Sequence, residues 1–90
     1  MTHVLVSKFA EKQLSKIPKN IVESLRYWAA TVERLGIHET RKLKGYHDEP
    51  LKGDRKGQRS IRLNRSYRAI YVETKAGLEL LIIEVNKHEY

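Results

Sequence analysis

A stripe of apolar residues at helical spacing is the feature that most restricts how this chain can fold. The stripe recurs every three or four positions and consists of Ile21, Leu25, Trp28, Ala29, Val32 and Leu35. Such spacing predicts an amphipathic helix with one buried face. Pro18 is suited to the first turn of this helix, and Gly36 is suited to ending it. We expect Trp28 to be a core residue rather than a group that stacks on bases.

The residues before this helix predict a strand and another helix. Val4-Leu5-Val6 reads as a short strand, and Ser7 is a suitable N-cap for the helix that follows. That helix carries Ala10, Leu14 and Ile17 on one face. The two helices should therefore form a hairpin that lies on one face of a sheet.

The second half of the chain predicts strands. Residues 37–57 lose the helical period and are interrupted by glycine and proline, which predicts a long basic connection. Strands are predicted at 59–63, 67–73 and 78–85, joined by short turns, with the last strand in a central position. We expect one α+β domain over residues 1–90, with the N-terminal strand and the two-helix hairpin packed on a mostly antiparallel four-stranded sheet.

The positive charge of the chain is concentrated in one segment. The net charge is +7, and residues 41–68 contain ten basic and three acidic residues, which accounts for all of it (10 − 3 = 7). A confined positive potential is typical of a protein that binds a phosphate backbone. A generally solvated, lysine-rich surface is the alternative interpretation, but such a surface would have scattered its excess charge.

Several classes of chemistry have no support in the sequence. The chain has no cysteine, no Gly-rich phosphate loop and no serine in a nucleophile-elbow context, and its histidines are not at ligand spacing. We therefore expect neither a metal nor a cofactor. The N-terminus is too short and too weakly basic for a signal peptide, and no apolar run is long enough to cross a bilayer, so we expect a cytoplasmic protein. The four histidines whose spacing does not suit a metal site are His3, His38, His47 and His88.

Cleavage of RNA suits the groups that remain. The 2′-hydroxyl of RNA is its own nucleophile, so cleavage needs a base, cations around the phosphorane and an acid for the leaving oxygen. Arg68 shares a strand face with Ile70 and Val72, which marks either a functional site or an arginine that snorkels at a strand end. His88 and Tyr90 share the parity of the last strand if it stays extended.

The motif Leu51-Lys52-Gly53-Asp54-Arg55-Lys56-Gly57, followed by Ser60-Ile61-Arg62 and Tyr67-Arg68-Ala69-Ile70-Tyr71, resembles the RelE superfamily of toxin–antitoxin ribonucleases, and within it the HigB-like branch. The ending Val85-Asn86-Lys87-His88-Glu89-Tyr90 is similar to the C-terminal strand and tail of that superfamily. The likeness is specific over residues 51–90, whereas the first forty residues agree only in layout. HigB-like toxins can carry a histidine just before the Leu-Lys-Gly motif, where this chain has Glu49.

The resemblance implies a RelE-like fold and an mRNA interferase. An mRNA interferase of this kind is a ribosome-dependent endoribonuclease, which would cleave messenger RNA without a metal and thereby inhibit translation. A separate antitoxin would silence it, and we expect that antitoxin to present acidic residues on a helix or strand to the basic surface. The resemblance also implies a catalytic set, comprising Lys52, Arg62, Arg68, His88 and Tyr90. Further basic residues are expected to contact RNA, and these are Lys44, Arg55, Lys56, Arg59 and Arg65.

Two other functions remain open at this stage. A gyrase-inhibiting toxin of the ParE type shares the fold but lacks the proton-transfer groups. A non-catalytic module that binds RNA or the ribosome would use the basic segment only for docking.

Overall fold

The structure is a computed structural model that describes residues 2–87 of the chain. Within this range three α-helices pack against one face of a five-stranded mixed sheet. In chain order the elements are β1 (His3–Val6), α1 (Lys8–Leu14), α2 (Lys19–Leu35), α3 (Ile37–Arg41), β2 (Glu49–Pro50), β3 (Arg59–Arg62), β4 (Tyr67–Lys75) and β5 (Glu79–Lys87). Single 3₁₀ turns at Lys44–Tyr46 and Gly53–Arg55 lie before and after β2.

The strand order is β1-β5-β4-β3-β2. β1 runs parallel to β5, and the other neighbouring pairs are antiparallel. The α+β class, the meander and the central position of the last strand are thereby confirmed. The prediction of four strands was wrong for the described residues, because β2 adds a strand beside β3. A strand of two residues, one of them Pro50, has no alternating pattern by which the sequence could have shown it.

The helix ends follow from local chemistry. Ser7 caps α1 as expected, since its Oγ accepts a hydrogen bond of 3.1 Å from the amide N of Ala10. The helix ends at Leu14, three residues before the expected Ile17. Pro18 is the residue that precedes α2, not a member of its first turn. Gly36 ends α2 with a φ of 86°, a conformation that favours glycine.

Helix α3 was not predicted. It starts directly after Gly36, and the Thr40 hydroxyl donates a hydrogen bond of 2.8 Å to the Gly36 carbonyl oxygen. Ile37 and Thr40 are buried, so one side of this short helix packs inward. Five residues are too few to establish a helical period in sequence, which is why the segment looked irregular.

The core lies between the helices and the sheet. Trp28 is fully buried, as expected, and its ring packs against Tyr71 of β4 with ring centroids 5.1 Å apart. Ile21, Leu25 and Val32 are buried on the same face of α2. The apolar stripe of the sequence therefore becomes the surface on which the sheet packs.

Each edge strand of the sheet has one position that offers no free backbone donor. On β1, the amide N of Val4 donates a hydrogen bond of 3.2 Å to the Glu33 carboxylate of α2. On β2, Pro50 has no amide hydrogen to offer. At these two positions the edges therefore offer no free backbone donor to a neighbouring strand.

The connection from α3 to β3 is fixed to the sheet by the carboxylate of Asp48, whose side chain is 1% exposed. Arg59 Nε donates to it at 2.6 Å and Tyr71 Oη donates at 2.5 Å. Arg41 Nε lies 3.9 Å from the same carboxylate and donates to Tyr71 Oη at 3.2 Å. Burial, together with the hydrogen bond to Asp48, raises the pKa of Tyr71, so its hydroxyl stays protonated and remains a donor.

We expect Asp48→Asn to lower the free energy of unfolding by about 2 kcal/mol, because hydrogen bonds to a buried charge are among the strongest and Arg59 loses its partner. The midpoint of urea denaturation would measure the change. Glu39→Gln is the matched control, since Glu39 forms an exposed ion pair with Lys42 at 2.9 Å and should matter little. Equal midpoints for the two variants would contradict the assigned role of Asp48.

Candidate active site

The sheet face that points away from the helices carries a row of polar side chains. Arg62 of β3 pairs with Arg68 of β4, and Arg68 pairs in turn with Asn86 of β5. Their neighbours Ile61, Ala69 and Val85 belong to the core on the opposite face. The arginine that broke the apolar pattern of β4 therefore lies on the face that the helices do not cover.

Two arginines that lie directly opposite each other on neighbouring strands repel. Arg62 and Arg68 are such a pair, and neither has an acidic partner among the salt bridges of the described residues. An anion bound between the guanidinium groups would remove this repulsion. The pair therefore indicates a site for a negatively charged group.

A pocket of about 150 Å³ lies at this pair, and we call it the basic pocket. It is lined by His47, Glu49, Ser60, Ile61, Arg62, Asn64, Arg65, Tyr67 and Arg68. Arginines from two strands and their connecting turn thus face a carboxylate and an imidazole from the chain before β3. Guanidinium groups are good ligands for phosphate oxygens, while a carboxylate or a neutral imidazole accepts protons.

A chain of polar contacts orients Arg68. Its Nε lies 3.4 Å from Asn86 Oδ1, and the Asn86 amide donates to the Glu84 carboxylate. Arg55 Nη2 donates to the other oxygen of Glu84 at 2.7 Å, and Arg55 Nε donates to Gln58 at 2.8 Å. Arg55 therefore acts on the pocket through Glu84 and Asn86 rather than by lining it.

Asp48 brings its two neighbours to the basic pocket. Its own side chain points into the sheet, whereas His47 and Glu49 on either side line the pocket. His47 has φ 47° and ψ 48°, a left-handed conformation that is uncommon for a residue other than glycine. Uncommon backbone conformations of this kind tend to occur at functional sites.

The expected catalytic residues are only partly brought together. Arg62 and Arg68 line the basic pocket, but Lys52 is exposed and is not part of its lining. Lys52 precedes the 3₁₀ turn Gly53–Arg55 and is held there in an extended conformation. His88 and Tyr90 lie outside the described residues, so their place relative to the pocket stays a prediction.

The residues expected to contact RNA occupy different environments. Arg65 lines the basic pocket. Arg59 is paired with buried Asp48, and Arg55 with Glu84, so both have structural partners. Two lysines are exposed and lie outside the lining, namely Lys44 and Lys56.

Several pocket residues were missed as site residues. His47 is exposed and lines the pocket, although its spacing from the other histidines gave it no role as a ligand. Glu49 was noted only as a departure from the histidine of HigB-like toxins, and that difference was the available signal. Tyr67 and Asn64 carried no signal, because both fit an ordinary turn and strand start.

Residues 2–87 contain no group of three or more His, Asp or Glu side chains arranged to hold a metal ion. Over the same residues, no helix has the length and apolar character needed to span a membrane.

The chain is similar to known proteins in its three-dimensional structure. No protein-family model matches the chain, and no curated protein matches it. Solved structures do match. YafQ from E. coli strain BL21(DE3) superposes with a TM-score of 0.76 at 18% identity, covering 98% of this chain and 94% of YafQ. The YoeB/ParE toxin from Agrobacterium tumefaciens superposes with a TM-score of 0.74 at 20% identity, covering 98% of this chain and all of that toxin.

An archaeal RelE–RelB complex from Pyrococcus horikoshii also matches, with a TM-score of 0.73 at 20% identity over 96% of this chain and 93% of the matched chain. Coverage is nearly complete in both directions in each case, so the similarity concerns the whole described structure. The structural neighbours of this chain are toxins of toxin–antitoxin systems, and the chain has the α+β fold of the RelE, YoeB and YafQ toxins.

Proposed function

We propose that the protein is the toxin of a toxin–antitoxin pair and acts as an endoribonuclease on messenger RNA held by the ribosome. The observation that carries this proposal is the meeting of Arg62, Arg65 and Arg68 with His47 and Glu49 in one pocket. The fold, shared with the RelE, YoeB and YafQ toxins, supports it. On the Leu51-Lys52-Gly53 motif we assign the protein to the HigB-like branch.

The basic pocket suits cleavage by the 2′-hydroxyl of the RNA itself. This hydroxyl attacks the adjacent phosphorus, the bond from phosphorus to the 5′-oxygen breaks, and the products are a 2′,3′-cyclic phosphate and a 5′-hydroxyl. Arg62 and Arg68 would hold the non-bridging oxygens, where negative charge accumulates in the transition state. No metal is needed for this step, because the nucleophile and the cations are already supplied.

Proton transfer needs an acceptor and a donor. Glu49 lines the pocket and is our candidate to accept the proton of the 2′-hydroxyl. His47, in the same lining, is a candidate to protonate the leaving 5′-oxygen. His88 and Tyr90 remain proposed members of this set, His88 for proton transfer and Tyr90 for proton transfer or stacking.

An antitoxin is the proposed partner in the cell. The matched archaeal RelE is in complex with RelB, and the fold likeness supports a comparable partner here. An inhibitor that presents acidic residues to the basic pocket would pair with Arg62, Arg65 and Arg68 and exclude RNA. Exposed Lys44, Lys52 and Lys56 would assist docking on ribosomal RNA.

Expression of the protein should stop growth and cut translated transcripts, and Arg68→Ala should restore growth by lowering cleavage about a hundredfold. Mapping transcript 5′ ends before and after induction measures both effects. The same substitution removes the repulsion with Arg62, so thermal unfolding should occur at the same or a higher temperature.

Lys75→Ala, at the exposed end of β4, is the control and should stay toxic. Intact transcripts accompanied by DNA damage would favour a gyrase inhibitor of the ParE type instead. Intact transcripts without such damage, together with ribosome binding, would favour a module that only docks.

Glu49→Gln should lower the cleavage rate by about 10²–10⁴-fold while leaving ribosome binding unchanged, because it removes a proton acceptor and keeps the side-chain shape. Single-turnover cleavage in a translating extract, with binding measured separately, distinguishes the two effects. Glu39→Gln, which alters a surface carboxylate of α3, serves as the control. A normal rate for Glu49→Gln would remove Glu49 from the mechanism.

Ribosome binding should weaken linearly on a plot of log affinity against log salt concentration, because several phosphates are neutralised together. Replacing Arg62 by alanine should make that slope shallower by about 0.7, the value for one phosphate contact on a single strand. An affinity that does not respond to salt would show that the basic surface is not the docking face.

A further inference from the structure

Another cavity adjoins the basic pocket at Arg62, which lines both. It has a volume of about 340 Å³ and lies where α2 meets the chain that follows α3. We call it the tyrosine cleft, and its lining consists of Ser24, Tyr27, Leu43, Gly45, Tyr46, Arg62 and Leu63.

Two large apolar or aromatic side chains of the tyrosine cleft are exposed to solvent. Tyr27 is 69% exposed and Leu43 is 42% exposed. Tyr27 lies between exposed Arg26 and buried Trp28 on α2, and its own ring is turned to solvent. The ring contributes nothing to the core and is available to a ligand.

Tyr46 gives the cleft a fixed wall. Its ring is partly buried and packs against the core cluster. Burial raises the pKa of Tyr46, and a hydrogen bond between its hydroxyl and the Thr31 side chain acts in the opposite direction. The Thr31 hydroxyl in turn donates to the Tyr27 carbonyl oxygen at 2.8 Å, which links Tyr46 to the turn of α2 that carries Tyr27.

We propose that the tyrosine cleft binds the base of a nucleotide next to the scissile phosphate, with the base stacked on Tyr27 and Arg62 shared between base and phosphate. This proposal rests on the proposed function and extends it to the recognition of the RNA. A base has apolar faces and a polar edge, which match an exposed aromatic ring beside a guanidinium group.

Continuity with the basic pocket favours a base over an apolar protein segment as the ligand. A phosphate held by Arg62 and Arg68 places the attached nucleosides on either side of it, and the tyrosine cleft begins at Arg62. A ligand that carries a negative group next to an aromatic group would therefore match both cavities. Single-stranded RNA has this composition along its whole length.

The test uses fluorescent single-stranded DNA oligonucleotides, which lack the 2′-hydroxyl and cannot be cleaved by this chemistry. One is intact, and the others each carry an abasic site at one position. Wild-type protein should bind one of the abasic oligonucleotides about tenfold more weakly than the intact one, as expected for the loss of one base–aromatic stack. Tyr27→Ala should bind the intact oligonucleotide about tenfold more weakly and lose that discrimination.

Two control variants accompany Tyr27→Ala. Tyr27→Phe keeps the ring and should behave as wild type. Phe9→Ala removes a ring on α1 that is 60% exposed and lines neither cavity, and it should also behave as wild type.

The proposal is overturned if wild-type protein treats every abasic oligonucleotide like the intact one, or if Tyr27→Ala binds as tightly as Phe9→Ala. Either result leaves the proposed function untouched as long as induced cells still contain cut transcripts. Loss of toxicity in Tyr27→Ala without a change in oligonucleotide binding would instead assign this surface to a protein or ribosome contact.

Discussion

The carboxylate of Asp48 is the point at which the connection between the helices and the strands is fixed to the sheet. Arg59 and Tyr71 reach it from neighbouring strands, and both contacts are short. Because Asp48 is buried, the residues on either side of it are placed on the opposite surface. The position of His47 and Glu49 at the basic pocket therefore depends on an interaction that takes place on the core side of the sheet.

Fold stability and the candidate chemistry make opposite demands on Arg62 and Arg68. Cross-strand neighbours of like charge weaken a sheet, and replacing either residue by a neutral one would serve folding better. The contacts that run from Arg55 through Glu84 and Asn86 nonetheless hold Arg68 in place. An arrangement that opposes stability but is supported by its surroundings is typical of a functional site.

The sequence allowed prediction of the elements with a regular period and missed those set by single contacts. The stripe on α2 and the meander of the last strands were predictable, because burial imposes periods of 3.6 and 2. Helix α3 and strand β2 are too short for a period; α3 begins directly after Gly36, and β2 begins directly after Asp48. The residues of the basic pocket likewise include some that a regular pattern predicts and some that it does not. Strand alternation predicted the special position of Arg68 and the resemblance predicted Arg62, whereas the contribution of His47 required knowledge of the fold.

The edge strands of the sheet affect the tendency of the protein to aggregate at high concentration. Edge strands with free amide donors pair with other chains, and aggregates grow from them. Here the Val4 amide is engaged by Glu33 and Pro50 has none, so neither edge invites a further strand at these positions. Both features disfavour pairing of these edges with another chain, and mutual repulsion between positively charged chains acts in the same direction. Replacing Pro50 would add an amide donor to the edge strand whose other residue, Glu49, lines the basic pocket.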